Sequence, residues 1–155
     1  MMVCRLLLVL ALAASASFAQ YCDKIDPRDA DQILGGQSMP LGLGPNGCSY
    51  SVRGKGARLT LTLSDESANA AQDFAILHHK AKSGGWLVAD EQTLGLTAFS
   101  QWIKASGPNS AKCGFIVKKG SKIIQFYITD STGTVARRDT VDKLRPIAKR
   151  VIDRI

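Results

Sequence analysis

The pattern that organises the chain is the apolar-rich segment at residues 113–129, which is interrupted by a short polar turn. Two apolar runs flank a turn at Gly120–Ser121 or Lys119–Gly120, where glycine tolerates the positive φ of tight hairpin turns. The pattern therefore predicts a β-hairpin. One face collects five large apolar residues, Phe115, Val117, Ile124, Phe126 and Ile128. A sheet with one strongly apolar face needs a covering layer, and we expect other elements of the chain to supply it.

Four more strands are predicted upstream of this hairpin. Residues 48–53 and 57–63 alternate on either side of a glycine-containing turn and predict a second hairpin. Residues 86–91 and 98–104 show weaker alternation and predict two further strands. Residues 36–47 are rich in Gly and Pro, a composition typical of a loop.

Three helices are predicted. The first covers residues 26–34, with Asp26 as N-cap and Pro27 in the first helical position. The second covers residues 64–83 and carries an apolar stripe that is the natural cover for the apolar face of the sheet, formed by Ala70, Phe74, Leu77 and Ala81. The last helix is amphipathic, and it either begins near Asp142 or is kinked early by Pro146.

The predicted order of elements is α-ββ-α-ββββ-α. Sequential strands joined by short turns favour an antiparallel sheet. We therefore expect an α+β fold with two layers, in which helices pack on one face of a sheet of about six strands.

The first 19 residues predict a secretory signal peptide. Arg5 provides a short positive region, residues 6–14 are apolar, and small residues precede a cleavage site after Ala19. The apolar run is shorter than the ~20 residues of a transmembrane helix, so we do not expect an integral membrane protein. The sequence thus predicts a single α+β domain over residues 20–155 that is secreted or periplasmic.

Three cysteines follow the predicted cleavage site, namely Cys22, Cys48 and Cys113. An oxidising compartment favours one disulfide, for which three pairings are possible. We favour Cys22–Cys48, which would tie the N-terminal segment to the first strand. Cys113 shares the apolar face of the hairpin and is expected to be a buried small hydrophobe. The alternative is a reactive thiol, which would make the protein a thiol-dependent enzyme or redox protein, although no base neighbours Cys113 in sequence.

The chain is basic, with a formal net charge of +7, which favours anionic partners. Three cations lie at the tip of each predicted hairpin: Arg53, Lys55 and Arg58 at one, and Lys118, Lys119 and Lys122 at the other. If both tips reach the same edge of the sheet, they form an anion-binding or partner-binding surface. The alternative is that these cations only keep exposed turns hydrated. Nucleic acid is not expected as a partner, because no aromatic residues alternate with the basic ones.

No motif indicates catalysis, a metal or a cofactor. The sequence contains no G-x-S-x-G. Asp90 and Glu91 are adjacent in a predicted strand and would face opposite sides. His78 and His79 are adjacent on a predicted helix and point about 100° apart, so they cannot chelate one metal together.

Several short motifs resemble those of a loose group of bacterial exported domains. They are a cysteine before a helix ending in Leu34–Gly35, the strand Cys48-Ser49-Tyr50, the segment from Leu94–Gly95 to Ala98–Phe99, and the C-terminal helix. Many members of the group are lipoproteins of unknown function, and it includes extracellular sensor-like domains of membrane kinases. This chain differs in lacking an N-terminal lipidation site. The resemblance implies a binding or sensing module, and it is compatible with the Cys22–Cys48 pair.

The expected function is therefore that of a non-enzymatic exported module that binds a protein or an anionic component of the cell envelope, such as a polysaccharide or lipid head group. Besides this binding module and the thiol-dependent enzyme or redox protein considered above, a third possibility is a subunit that acts through assembly. Its interface would be the other face of the hairpin 113–129, where Ile116, Ile123 and Tyr127 are predicted to be exposed.

Overall fold

The computed structural model describes residues 21–155, and the predicted signal peptide over residues 1–19 lies outside the described residues. A short 3-10 helix (Cys22–Lys24) is followed by three α-helices, α1 (Pro27–Leu34), α2 (Ala70–Ser83) and α3 (Arg138–Asp153). The seven strands are β1 (Ser38–Gly42), β2 (Gly47–Val52), β3 (Ala57–Leu63), β4 (Leu87–Asp90), β5 (Thr97–Ile103), β6 (Ala111–Lys119) and β7 (Lys122–Asp130).

All seven strands belong to one sheet in the order β1-β2-β3-β7-β6-β5-β4, and every neighbouring pair is antiparallel. The predicted α+β class is confirmed. The β6–β7 hairpin lies in the middle of the sheet, between β3 and β5. Both outer edges of the hairpin are therefore paired with neighbouring strands, and its apolar side chains need cover on the faces of the sheet.

The strand β1 is an addition to the prediction, which placed a loop over residues 36–47. It pairs with β2 from Ser38 opposite Val52 to Gly42 opposite Cys48. Pro40 is compatible with this strand because an edge strand makes ladder hydrogen bonds on one side only. The sheet consequently has seven strands where the sequence predicted about six.

The sheet has two faces of different composition. The side that carries Phe115 and Phe126, here called the first face, forms the larger hydrophobic core with α1 and α3. From α3, Leu144, Ala148 and Val151 are buried in this core. These two helices cover the face that the sequence marked as apolar.

The helices do not all lie on that face, because α2 packs on the opposite side, here called the second face. Its stripe contacts Phe99, Ile116 and Ile123 in a separate hydrophobic cluster. The apolar stripe of α2 was predicted correctly, but the surface that it covers was not. Side-chain alternation along β6 and β7 leaves apolar residues on both faces, and the helical pattern alone does not tell on which side of the sheet the connection crosses.

Helix α3 begins at Arg138, one turn before the predicted start at Asp142, and Pro146 lies inside it. Proline removes the hydrogen bond that the Asp142 carbonyl would otherwise accept. Asp142 is exposed, so water can satisfy that carbonyl. The first turn is held by Thr140, whose hydroxyl donates to the Val135 carbonyl at 2.6 Å.

The loop that leads into α3 is organised by Asp130, whose side chain is buried at the end of β7. Its carboxylate accepts hydrogen bonds from the backbone N–H groups of Thr132, Val135 and Ala136 and from the Thr132 hydroxyl. Burial alone would raise the pKa of Asp130, but these hydrogen bonds prevail and lower it to about 2. Asp130 is therefore ionised at neutral pH and holds the loop as a fixed acceptor.

The Cys22–Cys48 disulfide is formed, as predicted, and it joins the 3-10 helix to β2. Next to it, the Tyr50 hydroxyl donates to the Cys22 carbonyl at 3.1 Å. A disulfide is consistent with an oxidising environment outside the cytoplasm. Among residues 21–155, none of the helices has the length and apolar character needed to cross a membrane.

Candidate anion-binding site

The two cationic hairpin tips lie at opposite ends of the sheet. In the β3–β7 ladder, Ala57 pairs with Asp130 and Leu63 pairs with Ile124. The turn before β3 is therefore level with the end of β7, whereas the β6–β7 turn lies at the start of β7. The sequence suggested one common surface only if all six cations lay at the same edge of the sheet. The register of β3 and β7 shows that they do not. The residues form two separate groups.

At the β2–β3 tip, Lys55 is engaged with the protein itself. Its amine donates hydrogen bonds to the carbonyls of Leu34 and Gly35, at the C-terminus of α1. A cation at this position is stabilised by the negative end of the helix dipole and satisfies carbonyls that have no partner within the helix. Arg53 and Arg58 are exposed on the surface. This tip therefore offers two exposed cations, Arg53 and Arg58, to a partner.

The β6–β7 tip borders a cleft, here called the β6–β7 cleft, with a volume of about 660 Å³. The turn residues Gly120 and Ser121 form one wall. The N-terminal 3-10 helix and the C-terminal end of α3 supply the other walls. Four cations and two acidic residues line it: Lys24, Lys119, Lys122 and Arg154, with Asp23 and Glu66.

The cations of the cleft are held in place by different contacts. The Lys119 amine donates to the Ile152 carbonyl at 2.9 Å, in the last turn of α3. The Arg154 guanidinium donates to the Lys24 carbonyl at 3.1 Å, which ties the two ends of the described chain together. Both bonds go to carbonyls, so neither Lys119 nor Arg154 is neutralised by them.

The two acids of the cleft compensate only part of this charge. The Lys122 amine lies 3.8 Å from Glu66 Oε1, and the Lys24 amine lies 3.6 Å from Asp23 Oδ2. Both acidic side chains are largely exposed, so these pairs are weak in water. Among the side chains that line the cleft, cations therefore outnumber acids by two, and an anion bound there can contact several cations at once.

The sequence indicated Lys119 and Lys122 at this site, but it did not indicate Lys24 or Arg154. These two residues are 130 positions apart and meet only because α3 returns to the N-terminal segment. One partial signal was present: the predicted Cys22–Cys48 bond fixes the position of Lys24 relative to the sheet. Lys118, the third predicted cation of this tip, directs its amine toward the Gly120 carbonyl at 3.4 Å.

The expected exposed interface on the hairpin is largely covered. Ile116 and Ile123 are 3% and 5% exposed because α2 packs over them. Tyr127 remains half-buried. The prediction that all three are exposed is wrong, and the reason is the same crossing of α2 to the second face. Self-association through residues 113–129 remains a hypothesis, with Tyr127 as the accessible residue among the three.

Cys113 is buried in the first-face core and stands outside the disulfide. Burial, assisted by the negative charges of Asp130 and Asp139, raises the pKa of the Cys113 thiol to about 12. The thiolate, which is the reactive form, is thus disfavoured at neutral pH. These properties match the expected buried small hydrophobe and give no support to the alternative of thiol chemistry.

The two histidines do not share one environment, and neither do the adjacent acids Asp90 and Glu91. His78 Nε2 lies 3.2 Å from Asp90 Oδ1, and its ring packs edge-on against Phe99 with centroids 4.8 Å apart. His79 is exposed. Glu91 is buried and binds Arg145 of α3 on the other side of the sheet. Within the part of the chain that the structure describes, no group of three or more His, Cys, Asp or Glu residues is placed to hold a metal ion.

Comparisons of the chain with protein-family models, with curated proteins and with solved structures found no match.

Proposed function

We propose that this protein is a non-enzymatic, exported binding module that recognises an anionic component of the cell envelope through the β6–β7 cleft. The observation that carries the proposal is the convergence of Lys24, Lys119, Lys122 and Arg154 on one concavity. Export is supported by the signal-peptide pattern of residues 1–19 and is consistent with the Cys22–Cys48 disulfide.

Two features of the cleft favour an extended anion such as an acidic polysaccharide. First, Lys119 and Arg154 are anchored by hydrogen bonds to backbone carbonyls, so less side-chain freedom is lost on binding. Second, the cations come from three separate segments and can contact carboxylates or phosphates on successive units of a polymer. The exposed Ser121 in the turn adds a hydroxyl to the same wall.

The proposal predicts that reversing two charges of the cleft weakens binding to an acidic polysaccharide. The double variant Lys122→Glu with Arg154→Glu should bind polygalacturonate about tenfold more weakly than the wild type, and its affinity should depend less steeply on salt. Isothermal titration calorimetry at two salt concentrations measures both effects. Vesicles containing phosphatidylglycerol, titrated in parallel, distinguish a polysaccharide from a lipid head group as the source of the anion.

The matched control is Arg53→Glu with Arg58→Glu, which changes the net charge by the same amount at the opposite end of the sheet. This control should retain most of the wild-type affinity. Equal losses in both double variants would mean that only net charge matters. Unchanged affinity in the cleft variant would equally refute the site.

A further inference from the structure

Lys112 lies on the second face, away from the β6–β7 cleft, and its ammonium group is held between aromatic rings. Its Nζ atom lies 3.8 Å from the centroid of the Tyr127 ring and 5.8 Å from that of Trp86. Both distances fall within the range of cation–π contacts, which extends to about 6 Å. The two rings come from different elements, since Tyr127 is in β7 and Trp86 follows α2.

No anion in the described part of the chain compensates the charge of Lys112. Across residues 21–155, its amine forms neither a salt bridge nor a hydrogen bond. Burial accordingly lowers the pKa of Lys112. The other charged residue of the adjoining pocket, Lys80, is also a cation. The aromatic faces stabilise the charge, but none of the three N–H donors of the ammonium has a hydrogen-bond acceptor among residues 21–155.

The pocket next to Lys112 has a volume of about 190 Å³ and lies between the C-terminal half of α2 and the sheet. Its apolar lining includes Leu77, Ile116 and Trp86, and its polar lining includes the side chains of Gln101 and Gln125. Pockets for drug-sized ligands measure roughly 300–1,000 Å³, so this one suits a smaller molecule.

Gly114 explains how Tyr127 comes so close to this site. The two residues are opposite each other in the β6–β7 ladder. A Cβ atom on residue 114 would clash with the Phe126 carbonyl and with Cα and Cβ of Tyr127. Glycine removes that obstacle, and the two strands can approach at the point where the Tyr127 ring meets the amine of Lys112.

We propose that this pocket binds a small aromatic carboxylate. The carboxylate accepts hydrogen bonds from the Lys112 ammonium, and its ring packs against Trp86 and Ile116. One unpaired ammonium matches the single charge of a carboxylate, and a pocket with apolar and aromatic walls favours a flat ring over an aliphatic chain. The site shares no lining residue with the β6–β7 cleft, so it is independent of the proposed polysaccharide binding.

A titration of the wild-type protein with benzoate tests this inference directly. The two tryptophans give separate indole N–H signals in NMR spectra, and Trp102 serves as an internal reference because its indole is bound to the Ala136 carbonyl in the other core. The Trp86 signal should shift with benzoate and the Trp102 signal should not. Benzamide, which is the neutral analogue, and acetate, which lacks the ring, should each bind at least about tenfold more weakly.

Lys112→Met, which keeps an unbranched side chain and removes the charge, should weaken benzoate binding by about tenfold. Lys82→Met is the matched control, because Lys82 is exposed at the end of α2 and does not line the pocket. The inference is overturned if the Trp86 signal does not move, if benzamide binds as tightly as benzoate, or if Lys112→Met binds as the wild type does. Should Lys112→Met fail to fold, the comparison of benzoate with benzamide on the wild type decides.

Discussion

Replacing Arg145 with methionine is expected to lower the free energy of unfolding by about 3–5 kcal/mol, because the substitution strands a buried carboxylate. The Glu91 side chain is only 6% exposed. Arg145 Nε and Nη2 donate to its two oxygens, each at 2.9 Å. Without these donors, Glu91 must be buried as an unpaired charge or must bind a proton. Urea unfolding at about pH 7 measures the loss.

The same variant should show a characteristic pH dependence. Burial by itself raises the pKa of Glu91, but the hydrogen bonds and positive charge of Arg145, together with hydrogen bonds from Ser100 and Thr93, outweigh it and hold the pKa below its usual value of 4.5. In the wild type, Glu91 therefore contributes stability above that value, and the contribution is lost as the pH falls through the folded pKa. In Arg145→Met, burial is opposed only by the hydrogen bonds from Ser100 and Thr93, so the pKa of Glu91 rises and protonation relieves the charge. The difference in stability between variant and wild type should thus be smaller at about pH 4 than at about pH 7.

Two comparisons isolate the cause of this effect. Replacing both partners, with Glu91→Leu and Arg145→Met, should recover more than half of the lost stability, because no charge is then left buried. Lys149→Met breaks an exposed pair with Asp153 on the same helix and should cost less than about 1 kcal/mol. A loss below about 1 kcal/mol for Arg145→Met itself would contradict the account of this pair.

Removing the Cys22–Cys48 disulfide is the second change with a large expected effect. The variant Cys22→Ala with Cys48→Ala should have a free energy of unfolding about 3–4 kcal/mol lower than the wild type. Without the bond, the unfolded chain is no longer closed into a loop and has a higher conformational entropy. The bonded residues are 26 positions apart. The variant should also bind acidic polysaccharide more weakly, since the bond fixes the segment that carries Lys24.

Urea unfolding with and without a thiol reductant measures the contribution of the bond. The reductant should lower the unfolding midpoint of the wild type toward that of the variant and should leave the variant unchanged. If the variant and the wild type unfold at the same urea concentration, the bond contributes nothing to stability. Unaltered polysaccharide affinity in a folded variant would show that Lys24 is held in the cleft by other contacts.

The sequence was most informative where one pattern dominated. The alternation through residues 113–129 and 57–63 predicted the strands β6, β7 and β3 nearly to the residue. The prediction of a loop over residues 36–47 was wrong. The Gly and Pro content of this segment is typical of a loop, but an edge position in the sheet allows Pro40 within a strand. The sequence also does not predict the register between strands that are distant in the chain. That register places the two cationic tips at opposite ends of the sheet.

The candidate sites were only partly predictable for the same reason. Lys119 and Lys122 belong to a recognisable turn, whereas Arg154 meets Lys24 through the tertiary fold. Lys55 and Lys119 show a further limit, because each donates to carbonyls at the end of a helix that is remote in sequence. A lysine or arginine at an exposed turn can bind a ligand or can cap the C-terminus of a helix. The local sequence is the same in both cases, so it does not distinguish them.

The most direct test of the proposed function is to map the binding surface by NMR. The isotope-labelled protein is titrated with short oligogalacturonides, and the shifts of its backbone amide signals are recorded. The account predicts that the shifts concentrate at Gly120, Ser121 and Arg154, around the β6–β7 cleft. Shifts concentrated at residues 53–58, or spread evenly over the basic surface, would contradict it.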